Sequence, residues 1–198
     1  MTRTTDKFPK ANAMLKYALL GLLNYAPMSG YDLEQFINHS ITHFWHAKLS
    51  QIYRTLKQME AEGLVTSEMQ EQEQHRSKRV YTITQMGADD LQRWLKEYST
   101  ELDDLKLPFL LRTFFYGQAP AEQIQTQMRL WHDLHTRQLD LYRHITPSSL
   151  SKFVQEMEIT PDDQFFWEAT RRFGEMYEAM CVQWLDEMMA ELAKRRDS

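Results

Sequence analysis

Apolar positions recur along this chain with two different periods, and the changes between them mark out the elements. From Met14 to Tyr25, Leu15, Ala18, Leu19, Leu22 and Leu23 have the spacing of a buried helix, which Pro27 stops. Ser29-Gly-Tyr-Asp32 has the capping-box spacing, with an acid reaching back to the cap. It opens a helix with Leu33, Phe36 and Ile37 on one face. Residues His39 to Lys48 form a less periodic connection, rich in His and aromatics. Ser50 to Gly63 then predicts a third helix, because Ile52, Leu56 and Met59 recur at i, i+4 and i+7. Ser50 suits its N-cap and Gly63 the C′ position, which needs φ > 0.

After Gly63 the period drops to two. Leu64 to Met69 is strand-like, Gln70 to Lys78 is polar and turn-like, and Arg79 to Ile83 alternates again, which predicts a β-hairpin. A helix follows from about Gln85 to Tyr98, with Leu91, Trp94 and Leu95 inward.

The second half reads as nearly all helix. Asp104 to Tyr116 comes first, and Pro120, a good N1 residue, opens a long helix to Ile145. Its stripe is Ile124, Met128, Trp131, Leu134, Leu141, Tyr142 and Ile145. Thr146-Pro147 starts a short segment reaching Ile159. Thr160-Pro161-Asp162-Asp163 then supplies a cap, an N1 proline and two acids at the positive end of the macrodipole, launching a last helix to about Lys194. That helix is apolar over more than half its circumference, so it is expected to be buried on two sides. One side meets the long helix; the other meets a second chain, with Phe173, Met176, Tyr177, Met180, Trp184 and Met188 as the dimerisation set. A monomeric, fully wrapped helical core is the alternative.

Three helices followed by a hairpin is the element order of a winged helix-turn-helix. The expected fold class is mainly α: a winged helix-turn-helix domain of three helices plus a two-stranded β-hairpin wing, followed by an all-α dimerisation domain. The boundaries are a loose arm at 1–13, the winged domain at 14–98 and the helical domain at 99–198. With its apolar stripe inward, the Ser50 helix turns Gln51, Tyr53, Arg54, Lys57 and Gln58 outward. Arg and Gln can bond base edges in the major groove, while Tyr and Lys can hold phosphates, and Ser50 joins these as a candidate DNA contact. The hairpin tip adds His75, Arg76, Lys78 and Arg79, the densest cation cluster of the first half. Either group alone would read as a solvated surface; together they favour a double-stranded DNA partner.

Charge sharpens this division. The net charge of −5 hides an asymmetry, since residues 1–98 carry 12 Lys+Arg against 11 Asp+Glu and residues 99–198 carry 11 against 17. The acidic second half is excluded as the phosphate-binding part. The single cysteine, Cys181, excludes an internal disulfide and a Cys-rich zinc site. No apolar run reaches membrane-span length and no secretory leader is present, so no membrane is expected as a partner and the expected location is cytoplasmic.

Competing chemistry is thin. His39, His43 and His46 fall at i, i+4 and i+7, but no nearby carboxylate or cysteine completes a ligand set, so neither metal nor other cofactor is expected. His132 and His135 read as a polar edge of the long helix, with an effector or dimer contact as the second meaning. There is no Gly-rich phosphate loop, nucleophile elbow or paired-acid setting, so no enzyme is expected. The aromatic concentration of Phe109, Phe114, Phe115, Trp131, Phe165, Phe166 and Trp167 is the only lead to an effector pocket, and Phe109, Phe114, Phe115, Trp131 and Phe166 are its candidate lining. A cavity between the two domains would take a planar aromatic molecule by stacking; plain core is the alternative.

One family resemblance is specific. Leu19-Leu-Gly-Leu-Leu23, Met28-Ser-Gly-Tyr-Asp-Leu33, Trp45, Ser50-Gln-Ile-Tyr-Arg-Thr-Leu56, Glu60-Ala-Glu-Gly-Leu-Val65, Arg79-Val-Tyr-Thr-Ile-Thr84, Gly87 and Trp94-Leu95 resemble the PadR family of bacterial transcriptional regulators. The second half resembles the virulence-activator-type helical domain of its AphA-like branch, through helix layout and aromatic content. The resemblance implies a homodimer gripping a pseudo-palindromic operator, with half-sites about 34 Å apart. It implies Gln51, Tyr53 and Arg54 in the groove and Arg76, Lys78 and Arg79 on the backbone. It also implies repression more often than activation, and release by an aromatic small-molecule effector in several members. The chain departs from the family at Thr55, where proline is frequent. A protein–protein adaptor and a ligand binder using the helical domain alone are the competing functions.

Overall fold

A computed structural model describes residues 11–40, 47–72, 75–100, 106–144, 157 and 159–196. The chain divides into two compact units, 1–98 with 147–159, and 99–146 with 160–198.

The first unit begins with α1 (Ala11–Tyr25), three residues earlier than the apolar run predicts and inside the expected arm. Leu19, Leu20 and Leu23 are buried on it. Next come β1 (Met28–Ser29) and α2 (Gly30–Ser40). The capping box forms: Asp32 Oδ2 accepts from the Ser29 N–H at 3.1 Å, and the Asp32 N–H donates to Ser29 Oγ at 3.2 Å. Leu33, Phe36 and Ile37 are buried, as their spacing requires.

The third helix, α3, runs Leu49–Ala61 and buries Ile52, Thr55, Leu56 and Met59. Ser50 is not its cap. Lys48 occupies that position, and the Lys48 N–H donates to Gln51 Oε1 at 2.9 Å, so the amide three residues on satisfies the cap's own N–H. Gly63 does adopt φ 74°. The Gly63 N–H donates to the Glu60 carbonyl (3.1 Å) and the Leu64 N–H to that of Met59 (2.9 Å), a Schellman closure that turns the chain into the hairpin.

Strands β2 (Val65–Gln72) and β3 (His75–Ile83) pair antiparallel from Val65↔Ile83 to Gln72↔His75. They extend well into the stretch that reads as a turn. Beyond Ser67, Glu68 to Glu71 are exposed on both faces, so ladder hydrogen bonds hold this part without the burial that produces alternation. The sheet also has a third strand: β1 pairs with β3 through Met28↔Tyr81 and Ser29↔Val80, giving the order β1-β3-β2. Helix α4 (Gln85–Leu95) is capped by Thr84 and stops short of Tyr98. Leu91 is buried and the Trp94 ring stacks on Tyr17 at 4.6 Å, but Leu95 is exposed rather than inward.

The second unit starts with the short α5 (Pro108–Phe114) and a 3-10 turn at Tyr116–Gln118, in place of one helix from Asp104 to Tyr116. Helix α6 (Ala121–His144) packs along α7 (Pro161–Arg196), which the Thr160–Asp163 box caps as its sequence predicts. Tyr142 meets Gly174, His135 meets Glu178 and His132 meets Asp186, so the two helices run antiparallel. Ile124, Met128 and Leu185 form the core between them, with Trp131, Trp184, Met189 and Leu192 packed around. Leu139 joins the buried side, whereas Leu134 and Leu141, expected inward, are exposed. The expected segment Thr146 to Ile159 and the residues His43 and His46 lie largely outside the described residues.

Candidate nucleic-acid interface

The α3 stripe is anchored by side chains with no exposed surface, since Ile52 and Leu56 are both 0% exposed. Truncating such a Leu to Ala costs about 2–5 kcal/mol, so the helix has one rotational setting. In that setting Ser50, Gln51, Tyr53, Arg54, Lys57 and Gln58 all face outward. Thr55, at the family's proline position, faces inward at 9% exposure, so this departure leaves the outer face unaltered.

The outward residues are not equally available. Gln51 Oε1 serves the helix start, and Gln58 Nε2 donates to Glu62 Oε1 at 2.8 Å. Arg54 and Lys57 make no ion pair among the described residues, so their cationic heads are free for an anion.

The wing stands beside this face. Arg79 on β3 lies 3.9 Å from Glu60 on α3, and Lys78 lies 3.6 Å from Asp32 on α2. Glu60 Oε1 also accepts from Ser67 Oγ at 2.5 Å, tying β2 to the same carboxylate. The strand ladder includes His75 and Arg76, whose side chains fall outside the described residues. The helix face and the cationic hairpin are therefore adjacent, as a groove reader with a flanking wing requires. Sequence reasoning missed Asp32 and Glu60. Asp32 has a local signal in its capping spacing, but its pairing with a residue more than forty positions away leaves none.

In the second unit, Phe109 sits against Trp131 (5.4 Å between centroids), His135 (6.0 Å) and Trp184 (6.0 Å). Phe109 and Trp131 are thus together, while Phe114 pairs with Phe115, and Phe166 with Phe165, as exposed rings. His132 and His135 are not a solvated edge. His135 Nδ1 lies 2.5 Å from Glu178 Oε2, and His132 Nε2 lies 3.1 Å from Asp186 Oδ1, so both bridge α6 to α7. On α7, Phe173, Met176 and Met180 are exposed at 66%, 63% and 56%. Trp184, by contrast, is half-buried and packs against the Ile124, Met128 and Leu185 core. Tyr177 and Met188 are half-buried at the margin, and burial raises the Tyr177 phenol to about 12, with Cys181 beside it.

The two units coincide with two family models: the transcriptional regulator PadR-like family matches residues 19–93, and the virulence activator alpha C-terminal domain matches 105–193. The first unit carries a domain of the PadR-like family of transcriptional regulators. It is 29% identical over 189 residues to the negative transcriptional regulator PadR of Bacillus subtilis, covering 91% of this chain and 98% of the relative. Bacillus subtilis PadR in complex with operator DNA is similar in structure, with a TM-score of 0.75 and 27% identity over 90% of this chain and 99% of that one. The same protein with p-coumaric acid gives a TM-score of 0.68 at 27% identity, over 90% and 98%. The Vibrio cholerae virulence activator AphA shares the fold, with a TM-score of 0.68 and 24% identity over 91% and 99%. These likenesses agree with the expected winged helix-turn-helix and helical C-terminal architecture, and the curated relatives are described as transcriptional regulators. Among the described residues, no helix is long and apolar enough to cross a membrane.

Proposed function

We propose that this regulator acts as a homodimer that reads a pseudo-palindromic duplex operator and represses transcription. The observation that carries the proposal is the α3 outer face, where Tyr53, Arg54 and Lys57 stand exposed beside the Arg79 edge of the wing. Arg54 is the base-edge reader, its planar fork matching guanine in the major groove. Tyr53, Lys57, Lys78 and Arg79 hold phosphates and set the register; Ser50, Gln51, Gln58, His75 and Arg76 complete the surface. The operator complex of Bacillus subtilis PadR supports the duplex as partner, and that relative's description as a negative regulator supports repression.

Dimerisation is supported by the stripe Phe173, Met176 and Met180 on α7, which stays exposed among the described residues. Leu134 and Leu141 on α6 add apolar surface that a solitary chain would leave in water. An aromatic effector is supported by the p-coumaric acid complex of the relative and by the Phe109, Trp131 and Trp184 cluster.

The decisive experiment is retention of the full chain on random duplex DNA across a salt series, followed by selection of bound sequences. A phosphate binder is released progressively by salt and enriches a two-fold symmetric sequence. Salt-independent or absent retention would favour a winged-helix adaptor that docks protein instead.

A further inference from the structure

We propose that Gly30 is a positioning residue for DNA recognition: its missing side chain forms the seat on which the Tyr53 ring rests, and this seat sets where the phenol hydroxyl stands before DNA arrives. The inference rests on the DNA-binding function proposed above. A Cβ on Gly30 would lie 2.5 Å from Cε1, 2.8 Å from Cζ and 3.1 Å from Cδ1 of Tyr53. The first two are closer than non-bonded carbons approach, so the ring occupies the volume a side chain would need.

The backbone does not ask for glycine here. Among the described residues Gly63 is the glycine with positive φ, so Gly30 sits where any L-residue is sterically allowed. It is also the first residue of α2, where alanine would favour the helix. The Tyr53 ring is therefore what excludes a side chain. Nor is that ring held as core, since Tyr53 remains 43% exposed.

The seat is itself fixed. Ser29 and Asp32 on either side of Gly30 are locked by the capping box, Ser29 Oγ donating to Asp32 Oδ2 at 2.7 Å. Ser29 pairs with Val80 in the sheet, next to Arg79 of the wing. Placing the Tyr53 ring on Gly30 thus ties the α3 hydroxyl to the strand that carries the wing cations. A ring already held in its bound orientation loses less rotamer freedom when it meets a phosphate.

The test measures operator affinity by fluorescence anisotropy and thermal midpoint for the full chain, Gly30→Ala, Tyr53→Ala and the double variant, using the selected operator duplex. Gly30→Ala is expected to lose about three- to tenfold in affinity, the range one freed side chain accounts for. In the double variant the further loss from Gly30→Ala should vanish, because no ring remains to be displaced. Full affinity in Gly30→Ala overturns the inference, as does an unchanged loss added to that of Tyr53→Ala. If Gly30→Ala fails to fold, Tyr53→Ala in the same chain should restore folding; persistent unfolding would refute the seat. A wild-type chain that binds no duplex overturns the DNA-binding function and this inference with it, whereas wild-type binding with an indifferent Gly30→Ala overturns this inference alone.

Discussion

Glu60 restrains the wing, and replacing it tests the electrostatics of the whole interface. Its carboxylate sits on α3, 3.9 Å from the Arg79 guanidinium, while also accepting from Ser67 Oγ. The side chains are 53% exposed for Arg79 and 35% for Glu60, so the attraction acts mostly through water. Unit charges at that separation are worth about 1 kcal/mol in bulk water, and measured exposed pairs fall between about 0.2 and 1 kcal/mol. When Arg79 moves to a phosphate, that amount is given up, and the carboxylate stays behind to repel the DNA. Glu60→Gln removes both penalties while the amide oxygen can still accept from Ser67. Duplex affinity should therefore rise, by up to about fivefold at low salt, with the gain shrinking as salt increases. Because the gain falls on a backbone contact, random and operator sequences should benefit alike. Anisotropy titrations on both duplexes at several salt concentrations would measure it. Unchanged or weaker binding would show that Arg79 does not reach phosphate.

The remaining predictions each concern one or two side chains. Arg54→Ala should weaken operator binding by about 1–3 kcal/mol and relax selection at one base position, read by repeating the sequence selection; an unaltered motif would move base readout elsewhere. Lys78→Ala should weaken all sequences alike and flatten the salt slope by about one unit, less whatever its Asp32 pair at 3.6 Å already neutralises. Gly63→Ala forces a side chain into φ 74° and should cost about 1–2 kcal/mol in a denaturant melt; a neutral result would mean the Schellman turn relaxes. Phe173→Glu with Met180→Glu should yield monomers in sedimentation, because both side chains are exposed on α7 and neither belongs to its core. Trp184→Glu is a poor substitute, since it would breach the Ile124, Met128 and Leu185 core.

What the sequence disclosed follows from how each element is held. Helix α3 was legible because its stripe is fully buried at a regular spacing and Gly63 is needed for a left-handed turn. Both Ser/Thr-x-x-Asp boxes were legible because capping is local. The outer hairpin was not: Glu68 to Glu71 are exposed on both faces, so no alternation is written into them. β1 is too short for any period, and only its partners Tyr81 and Val80 define it. Leu95, Leu134 and Leu141 were assigned inward because an apolar residue near a stripe cannot reveal from spacing alone which flank it falls on. At the interface, the outer face of α3 was readable from the complement of its core, but the Asp32 and Glu60 pairs were not, since they join residues distant in sequence.

The near-neutral first half makes the two units depend on one another. One copy presents Arg54, Lys57, Lys78 and Arg79 as its described cations at the interface, two of them already shared with acids. With Arg54 on a base edge, the three phosphates met by Lys57, Lys78 and Arg79 give a salt slope of about −3, and two copies on one duplex about −5. On the proposed dimer, a single copy is a weak binder, and useful affinity comes from holding a second recognition helix in register. The helical unit, with 11 Lys+Arg against 17 Asp+Glu in residues 99–198, would contribute to DNA binding by setting that pairing. The Phe173→Glu, Met180→Glu chain should accordingly lose operator affinity although none of its interface residues has changed, with the slope falling by about half. A monomeric variant that kept the full slope would show that one copy makes all the phosphate contacts, and the exposed α7 stripe would then need another purpose.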